Sequence, residues 1–296
     1  MKIVMTLLVR DEEDIVAANL DFHLSRGVDH VIATDNLSTD ATAAILRSYE
    51  GRGLLTYIHE PDDTYDQHRW VTRMARMAAV DFGADWVINN DADEFWWPEG
   101  GDLKEVLGAV PPDSEAAAAP RSNFLPRPPG PGRSFAETMV VRERRSRKPM
   151  GGGDLPGKVC HRGAADIEVA QGNHAALRNG RPLAAAAAAI TILHFPLRSY
   201  AQFENKIVKG GAAYDRNDRL PPRAGAAWRR LYELWRDGAL EPYYRSQTPD
   251  DATIEAGLAD GTLIPDERLK LALRQLASAA SAGGPDDPAP PLACGP

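Results

Sequence analysis

The sequence DWVINNDADEFWWP, residues 85–98, places three carboxylates directly after an apolar run. Asp91, Asp93 and Glu94 stand close together, and Trp96 and Trp97 follow them. Carboxylates crowded at the end of a buried strand repel one another unless a cation lies between them. Mg²⁺ and Mn²⁺ prefer carboxylate oxygens and usually keep waters and substrate phosphates as further ligands. The spacing therefore predicts a divalent-cation site, built on Asp91 and Asp93, that could hold a diphosphate.

Competing interpretations of this Asp-x-Asp pair are weaker. The alternative to a cation site is a loop with surface acids that cap the next helix. Chance alone also produces many Asp-x-Asp pairs. The spacing of a calcium-binding loop is absent, since no Asp-x-Asn-x-Asp-Gly sequence surrounds the pair. No glycine-rich phosphate loop follows the first predicted strand, which argues against P-loop and dinucleotide-binding proteins.

Residues 1–110 alternate between strand-like and helix-like segments, which indicates an α/β fold with a parallel, doubly wound sheet. Apolar runs predict strands at 2–9, 29–35, 54–60 and 85–90, and the segments between them predict helices at 11–27, 38–53 and 65–83. Ligands of such sheets bind outside the carboxyl ends of the strands. That rule brings four polar segments to one edge: 6–13, 35–40, 59–67 and 91–97.

The second half of the chain is less regular. We expect a strand at 189–197 and, within the segment 198–214, a helix that ends at Gly210–Gly211. An amphipathic helix is expected at 225–238, and short helices at 252–259 and 266–279. Residues 136–145 predict another strand, and 145–157 a mobile loop. The expected boundaries separate residues 1–110, residues 111–215, a helical region at 216–280 and a disordered tail at 281–296.

Composition narrows the classes of protein. The chain has 296 residues, 43% of them hydrophobic, as expected of a globular protein, and a net charge of −8 that argues against nonspecific nucleic-acid binding. No apolar run approaches the length of about 20 residues that a transmembrane helix needs. The start of the chain lacks a signal-peptide cleavage site, and Cys160 and Cys294 are far apart, so we expect a cytoplasmic protein without a disulfide framework.

Two motifs resemble the hallmarks of family-2-type glycosyltransferases with the GT-A fold: TDNLSTD at 34–40 and NNDADEFW at 89–96. The branch often described as family-92-like is the nearer match. It shares GNH at 172–174 and LHFPLRSYAQFENKIVKGG at 193–211, so the likeness covers residues 1–110 and 155–215. Leu37 departs from the pattern, because this family usually has glycine there, and the turn is therefore expected to differ.

The resemblance implies a metal-dependent glycosyltransferase, with Mn²⁺ or Mg²⁺ as cofactor and inversion at the anomeric carbon. It also makes residues 1–110 the nucleotide-sugar-binding half of a GT-A domain and residues 111–215 its acceptor-side half. The donor would be a UDP- or GDP-sugar, and the acceptor a hydroxyl of a glycan or small molecule. A catalytically silent nucleotide- or glycan-binding module is one alternative. A sugar-phosphate nucleotidyltransferase is another, although the sequence VRDEED after the first strand lacks the glycines of its loop.

The resemblance also assigns roles to individual residues. The metal ligands would be Asp91, Asp93 and His194. The nucleoside would contact Thr6, Leu7 and Arg10, with Asp35 accepting a hydrogen bond from the base and Asp91 lying near the ribose. Cations for the diphosphate would come from Arg69, Arg73, Lys158, Arg162 and Lys206, and Trp97 would stack on the sugar together with Trp96. Each has a structural alternative: Leu7 and the tryptophans as core, Asp35 as a helix cap, and the cations as surface charge.

The catalytic base is the least determined assignment. His174, in the predicted turn at 172–174, is the first candidate, and Asp166, Glu168 and Glu94 are the others. A lone histidine is usually structural, which also applies to His161 and His194.

Overall fold

The computed structural model describes residues 1–64, 66–148, 153–220 and 225–282. Its strands are β1 (Ile3–Val9), β2 (His30–Asp35), β3 (Leu55–His59), β4 (Trp86–Asp91), β5 (Glu94–Pro98), β6 (Ala116–Ala119), β7 (Arg121–Asn123), β8 (Val141–Glu143), β9 (Lys158–Arg162), β10 (Ile167–Val169), β11 (Ala176–Arg178), β12 (Arg181–Pro182), β13 (Ala185–Ala187), β14 (Ile190–His194) and β15 (Leu263–Pro265). Its helices are α1 (Val16–Ser25), α2 (Thr42–Gly51), α3 (Gln67–Val80), α4 (Leu103–Gly108), α5 (Phe135–Thr138), α6 (Tyr200–Arg216), α7 (Ala226–Arg236), α8 (Leu240–Gln247), α9 (Asp251–Asp260) and α10 (Arg268–Ala282).

A seven-stranded sheet in the order β13-β6-β9-β4-β1-β2-β3 forms the centre of the molecule. The pairs β4–β1, β1–β2 and β2–β3 are parallel, whereas β9 runs antiparallel to both β4 and β6. The fold class is therefore as predicted: α/β, with a mostly parallel sheet and a helical C-terminal region. In the register of this sheet Leu8 pairs with Asp91, so β1 and β4 end at the same edge.

Helices cover both faces of this sheet, as the continuous apolar runs of its central strands require. In β1, Met5 belongs to the core on the face covered by α1 and α2, and Val4 to the core on the face covered by α3. The same alternation separates Ile88 from Val87 in β4. The two faces therefore bury successive residues of each strand, following its two-residue side-chain period.

Strand β5 was not predicted, because residues 91–97 were expected to form a loop at the sheet edge. It pairs antiparallel with β14 in a second sheet of order β5-β14-β7. Glu94 is paired with His194 and Trp96 with Ile192 in this register. The pairing buries Phe95 and Trp96 in the core and brings His194 beside the acidic residues that end β4.

Helix α6 does not end at Gly210–Gly211 but continues to Arg216. A Cβ atom on Gly210 would lie 2.4 Å from a ring carbon of Trp228, and one on Gly211 would lie 2.4 Å from the Cβ of Tyr232. The two glycines thus allow α7 to pack directly on the backbone of α6. The prediction that they stop the helix was wrong, because glycine also serves close helix packing.

Other differences concern the second half. The strand predicted at 136–145 is split into helix α5 and strand β8, and helices α4 and α8 were not predicted. Part of the loop expected at 145–157, namely 149–152, lies outside the described residues, as does the tail from 283 onward. In the part of the chain that the structure describes, every helix is too short or too polar to cross a bilayer.

Candidate active site

A cavity of about 1030 Å³ opens at the carboxyl ends of β1 and β4. Residues 8–12, 36 and 91–93 line it from the central sheet, and α6, α7 and α8 close its other side. Of the described residues that line it, eight are Lys or Arg and six are Asp or Glu. This balance is the reverse of that in the whole chain, which has 34 basic and 42 acidic residues. The cavity is therefore suited to an anionic ligand.

The two aspartates of the Asp-x-Asp pair have different partners. Asp91 Oδ1 accepts a hydrogen bond from Asn173 Nδ2 at 3.0 Å, and Asp91 Oδ2 accepts one from the Lys158 ammonium. Asp93 Oδ2 accepts a hydrogen bond from Lys206 Nζ at 2.8 Å. Burial opposes ionisation of Asp93, but the positive charge of Lys206 outweighs it and lowers the pKa of Asp93 well below its ordinary value. Asp93 is therefore a carboxylate at neutral pH.

Glu94 lies beneath the cavity rather than in its wall. It is fully buried, and its Oε1 accepts a hydrogen bond from Arg121 Nη1 at 3.0 Å and lies 3.3 Å from Lys158 Nζ. Burial raises the pKa of Glu94 to about 7, although the charge of Lys158 partly offsets this. Glu94 thus holds two cations of the site in place, and the geometry does not favour its predicted role as the base.

His194 presents a ring nitrogen to Asp93. Its Nδ1–H donates to Asn123 Oδ1 at 2.7 Å, which leaves the lone pair on Nε2, and Nε2 is 3.8 Å from Asp93 Oδ2. Burial lowers the pKa of His194 to about 3, so the ring is neutral at physiological pH. A neutral imidazole nitrogen and a carboxylate oxygen that face each other at this distance fit a divalent cation, and Asn123 fixes the tautomer as an outer-shell partner would.

The predicted ligand set is nevertheless incomplete in the protein itself. Among the described residues no three His, Cys, Asp or Glu side chains are placed to share a metal ion. Both oxygens of Asp91 are engaged by Lys158 and Asn173. In the described part of the chain Asp93 Oδ2 is engaged by Lys206 alone, so Asp93 and His194 are the pair that could hold a cation whose other ligands come from outside the protein, as is common for Mg²⁺.

His174 stands in the cavity wall with one nitrogen available. Its Nδ1–H donates to the Gly157 carbonyl at 2.9 Å, which leaves the lone pair on Nε2. Desolvation and the positive charge of Lys158 lower the pKa of His174 below its ordinary value. Gly172, at φ 77°, brings the backbone so close that a Cβ there would lie 3.0 Å from His174 Nε2. The GNH sequence thus places a neutral imidazole at the cavity.

Helix α6 supplies two further cations from one face. Lys206 Nζ lies 3.4 Å from Glu12 Oε1 in addition to its bond with Asp93, and Lys209 bonds Asp11. Asn205 Nδ2 also donates to Asp11 Oδ2, at 3.0 Å. These contacts join α6 to the loop after β1. Lys206 was predicted, whereas Lys209 was missed although its three-residue spacing from Lys206 is a usable signal.

The end of β2 differs from its predicted role. Asp35 is buried, with Oδ1 accepting from Ser38 N at 3.0 Å and Oδ2 from the Tyr57 hydroxyl at 2.8 Å, so it holds the turn instead of lining the cavity. Its neighbour Asn36 does line the cavity, and Asn36 Oδ1 has no hydrogen-bond partner in the described residues. Leu37 has φ 60°, so this leucine adopts the left-handed backbone that glycine would adopt more easily.

Five other residues predicted for the donor lie away from the cavity, each for a visible reason. Thr6 Oγ1 donates to Asn89 Oδ1 at 2.9 Å inside the sheet, and Leu7 is core. Arg69 is exposed on α3, and Arg73 pairs with Glu60 at 3.1 Å. The Trp97 ring stacks on the Phe22 ring, with 5.7 Å between the two ring centroids. Arg10 does line the cavity and also pairs with Asp63.

Three residues predicted from the second half, and the histidine His161, are also not brought to the cavity. Arg162 lies over the Trp86 ring at 4.7 Å, near the start of β4 and so at the opposite edge of the sheet. Asp166 pairs with Arg178 at 3.1 Å, and Glu168 lies 3.9 Å from Arg76 on α3. His161 is buried in β9. Of the four candidates for the base, His174 alone lines the cavity within the described residues.

Comparison with known proteins gives matches to solved structures only. No family model matches the chain, and a search of curated proteins found no match. The chain is similar to S. aureus TarS 1-349 in complex with UDP-GlcNAc, with 12% identity over 79% of this chain and 72% of that chain and a TM-score of 0.42. It is similar to S. aureus TarS 1-349 alone with 13% identity over 74% of this chain and 67% of that chain and a TM-score of 0.41. It is also similar to glucosyl-3-phosphoglycerate synthase from Mycobacterium tuberculosis in complex with Mg²⁺ and UDP, with 17% identity over 42% of this chain and 43% of that chain and a TM-score of 0.28. Because these three TM-scores are below 0.5, the function is inferred from the site itself.

Proposed function

We propose that the protein is a nucleotide-sugar-dependent glycosyltransferase of the GT-A type. The observation that carries the proposal is the placement of Asp93 and His194, facing each other at 3.8 Å, in a cavity that also contains Lys158, Lys206 and His174. Such a site can neutralise a diphosphate and, beside it, accept a proton.

The donor's diphosphate would lie against Lys206 and Lys209, whose side chains are about one-quarter exposed. Mn²⁺ or Mg²⁺ held by Asp93 and His194 would act there as a Lewis acid toward the diphosphate. The nucleoside of a UDP- or GDP-sugar would lie toward Asn36 and Arg10. Asn36 Oδ1, buried without a partner among the described residues, is suited to accept a hydrogen bond from the base.

The transfer step needs a proton acceptor on the side of the incoming hydroxyl. In this proposal His174 Nε2 takes the proton of the acceptor hydroxyl while its oxygen bonds to the anomeric carbon. The bond between that carbon and the diphosphate oxygen breaks, and its electron pair leaves on the diphosphate with inversion. Residues 1–110 are then the donor half, and 111–215 carry the base.

Nucleotide titration followed by a turnover assay tests this function. We expect UDP or GDP to bind with Mn²⁺ present, and the matching nucleotide sugar to be consumed with release of the nucleoside diphosphate. Binding without turnover would favour the silent binding module. Release of pyrophosphate from a nucleoside triphosphate and a sugar phosphate would favour the nucleotidyltransferase, and the absence of any nucleotide binding would refute the proposal.

His174 gives this mechanism a pH signature. Since the pKa of His174 is lowered below 6.5, the neutral base predominates at pH 7 and is lost as the pH falls through that lowered value. We expect kcat/KM to decline on the acid side, and His174→Gln to remove this decline and reduce kcat/KM by about 10²–10⁴-fold.

The matched control for this pH measurement is His59→Gln, because His59 is exposed and outside the cavity lining. That variant should keep both the rate and the pH profile of the unmodified protein. An unchanged acid limb in His174→Gln would show that another group is the base.

A further inference from the structure

The far end of the cavity is apolar. Its wall includes six large apolar side chains: Leu197, Phe203, Ile207, Trp228, Leu231 and Tyr243. These side chains come from α6, α7, α8 and the residues just before α6, away from the strand ends that carry the aspartates. Among the described lining residues of α7 and α8, Gln247 is the one amide or charged side chain. A ligand group that fits here gains by burying apolar surface rather than by hydrogen bonding.

The same helix forms both parts of the cavity. On α6, Lys206 and Lys209 bond the acidic residues, whereas Phe203, Ile207 and Gly210 lie on the neighbouring stripe toward α7 and α8. Gly210 has no side chain to separate its backbone from Trp228, whose ring therefore lies directly against α6. The apolar end is thus continuous with the place proposed for the diphosphate.

Tyr214 joins the apolar end to the proposed base. Its hydroxyl accepts a hydrogen bond from Gln171 Nε2 at 3.0 Å, and its ring centroid is 6.1 Å from that of Trp228. Gln171 belongs to the same turn as His174, three residues earlier in the sequence, and both line the cavity. A molecule seated on Trp228 can therefore extend toward His174.

We propose that the acceptor is a small molecule with its hydroxyl on an apolar ring system, and that Trp228, Tyr243 and Leu231 bind this ring. The inference rests on the proposed glycosyl transfer and names its acceptor class. Aromatic side chains also stack on sugars, but a saccharide acceptor needs polar partners for each of its hydroxyls. The described lining from α7 and α8 has the Gln247 amide and the Tyr243 hydroxyl beside a mainly apolar surface. The hydroxyl of the ring compound forms the new bond to the anomeric carbon and gives its proton to His174.

The test measures binding of two probe acceptors, 2-naphthol and methyl β-glucoside, to the protein saturated with nucleoside diphosphate and Mn²⁺. We expect 2-naphthol to bind, the glucoside to bind at least about 10-fold more weakly, and Trp228→Gln to weaken 2-naphthol binding by about 10–100-fold. The nucleotide Kd should stay the same in that variant. The control is Trp235→Gln, because Trp235 is exposed on the same helix and outside the cavity lining.

Tyr243→Ser provides a second variant if Trp228→Gln lowers the melting temperature, because Tyr243 is only half-buried. Equal 2-naphthol binding in these variants and the unmodified protein, or tighter binding of the glucoside, would overturn the inference while nucleotide binding and turnover leave the proposed function standing. Failure of the nucleotide titration itself would refute the proposed function instead.

Discussion

Asp93→Asn should reduce kcat for sugar transfer by about 10²–10³-fold, the typical effect of removing one preorganised electrostatic contact to a transition state. The substitution keeps the shape of the side chain and an oxygen that can accept from Lys206, so the fold should be retained. It removes the charge that faces His194 Nε2 at 3.8 Å. Turnover of the nucleotide sugar, with circular dichroism to verify folding, measures the effect.

The same variant also tests whether Asp93 acts through a bound divalent cation. If Asp93 acts through a bound divalent ion, then chelation of the unmodified protein and the Asp93→Asn substitution remove the same contribution, and chelator should not slow the variant further. The Mn²⁺-dependent part of nucleotide affinity should also disappear. Asp166→Asn is the control, since Asp166 pairs with Arg178 outside the cavity lining. Full activity of Asp93→Asn in excess chelator would exclude this mechanism.

The first ninety residues could be predicted from the sequence because their structure is encoded locally. Each strand of the parallel part is a short apolar run, and each helix between them ends near a glycine, as Gly27, Gly53 and Gly83 illustrate with positive φ. The rule that ligands bind at the carboxyl ends of such strands then located the cavity. Asp91 and Asp93 were placed at its edge for the same reason.

The predictions that the structure did not match concern features that depend on contacts between distant parts of the chain. Strand β5 exists because its partner β14 lies about a hundred residues later, and no periodicity in 94–98 reveals that pairing. Asp35 was assigned to the ligand, but the neighbouring strand β3 brings Tyr57 to its carboxylate. Which of two adjacent residues faces a cavity depends on strand register, so Asn36 takes the position expected of Asp35.

The pairing of the acidic residues with lysines of the protein could not be predicted from the sequence either. The sequence placed the carboxylates, and their repulsion indicated a need for positive charge that the prediction met with a divalent cation. In the structure Lys158 and Lys206, on β9 and α6, meet much of that need. The site therefore differs from a simple cage of carboxylates around a metal, because protein side chains supply much of its positive charge.

Arg198→Met should lower the free energy of unfolding by about 3–5 kcal/mol at neutral pH, because it would deprive the buried Glu12 carboxylate of one of its two cationic partners. Arg198 is 1% exposed, bonds Glu12, and donates to both oxygens of Asp14 at 2.7 and 2.9 Å. It thereby ties the start of α6 to the loop after β1. Urea unfolding measures the loss, and Arg245→Met is the control, since the exposed Arg245–Glu241 pair contributes at most about 0.5 kcal/mol.

The pH dependence of the free energy of unfolding tests whether Glu12 causes this loss. Burial raises the pKa of Glu12 above its ordinary value even with Arg198 and Lys206 nearby. A carboxyl group with a raised folded-state pKa favours folding while protonated and loses that contribution as the pH rises. The destabilisation by Arg198→Met should therefore be smaller at about pH 4 than at pH 7, and adding Glu12→Gln should restore part of the stability. An equal loss at both pH values would attribute the effect to lost packing instead, because packing does not titrate.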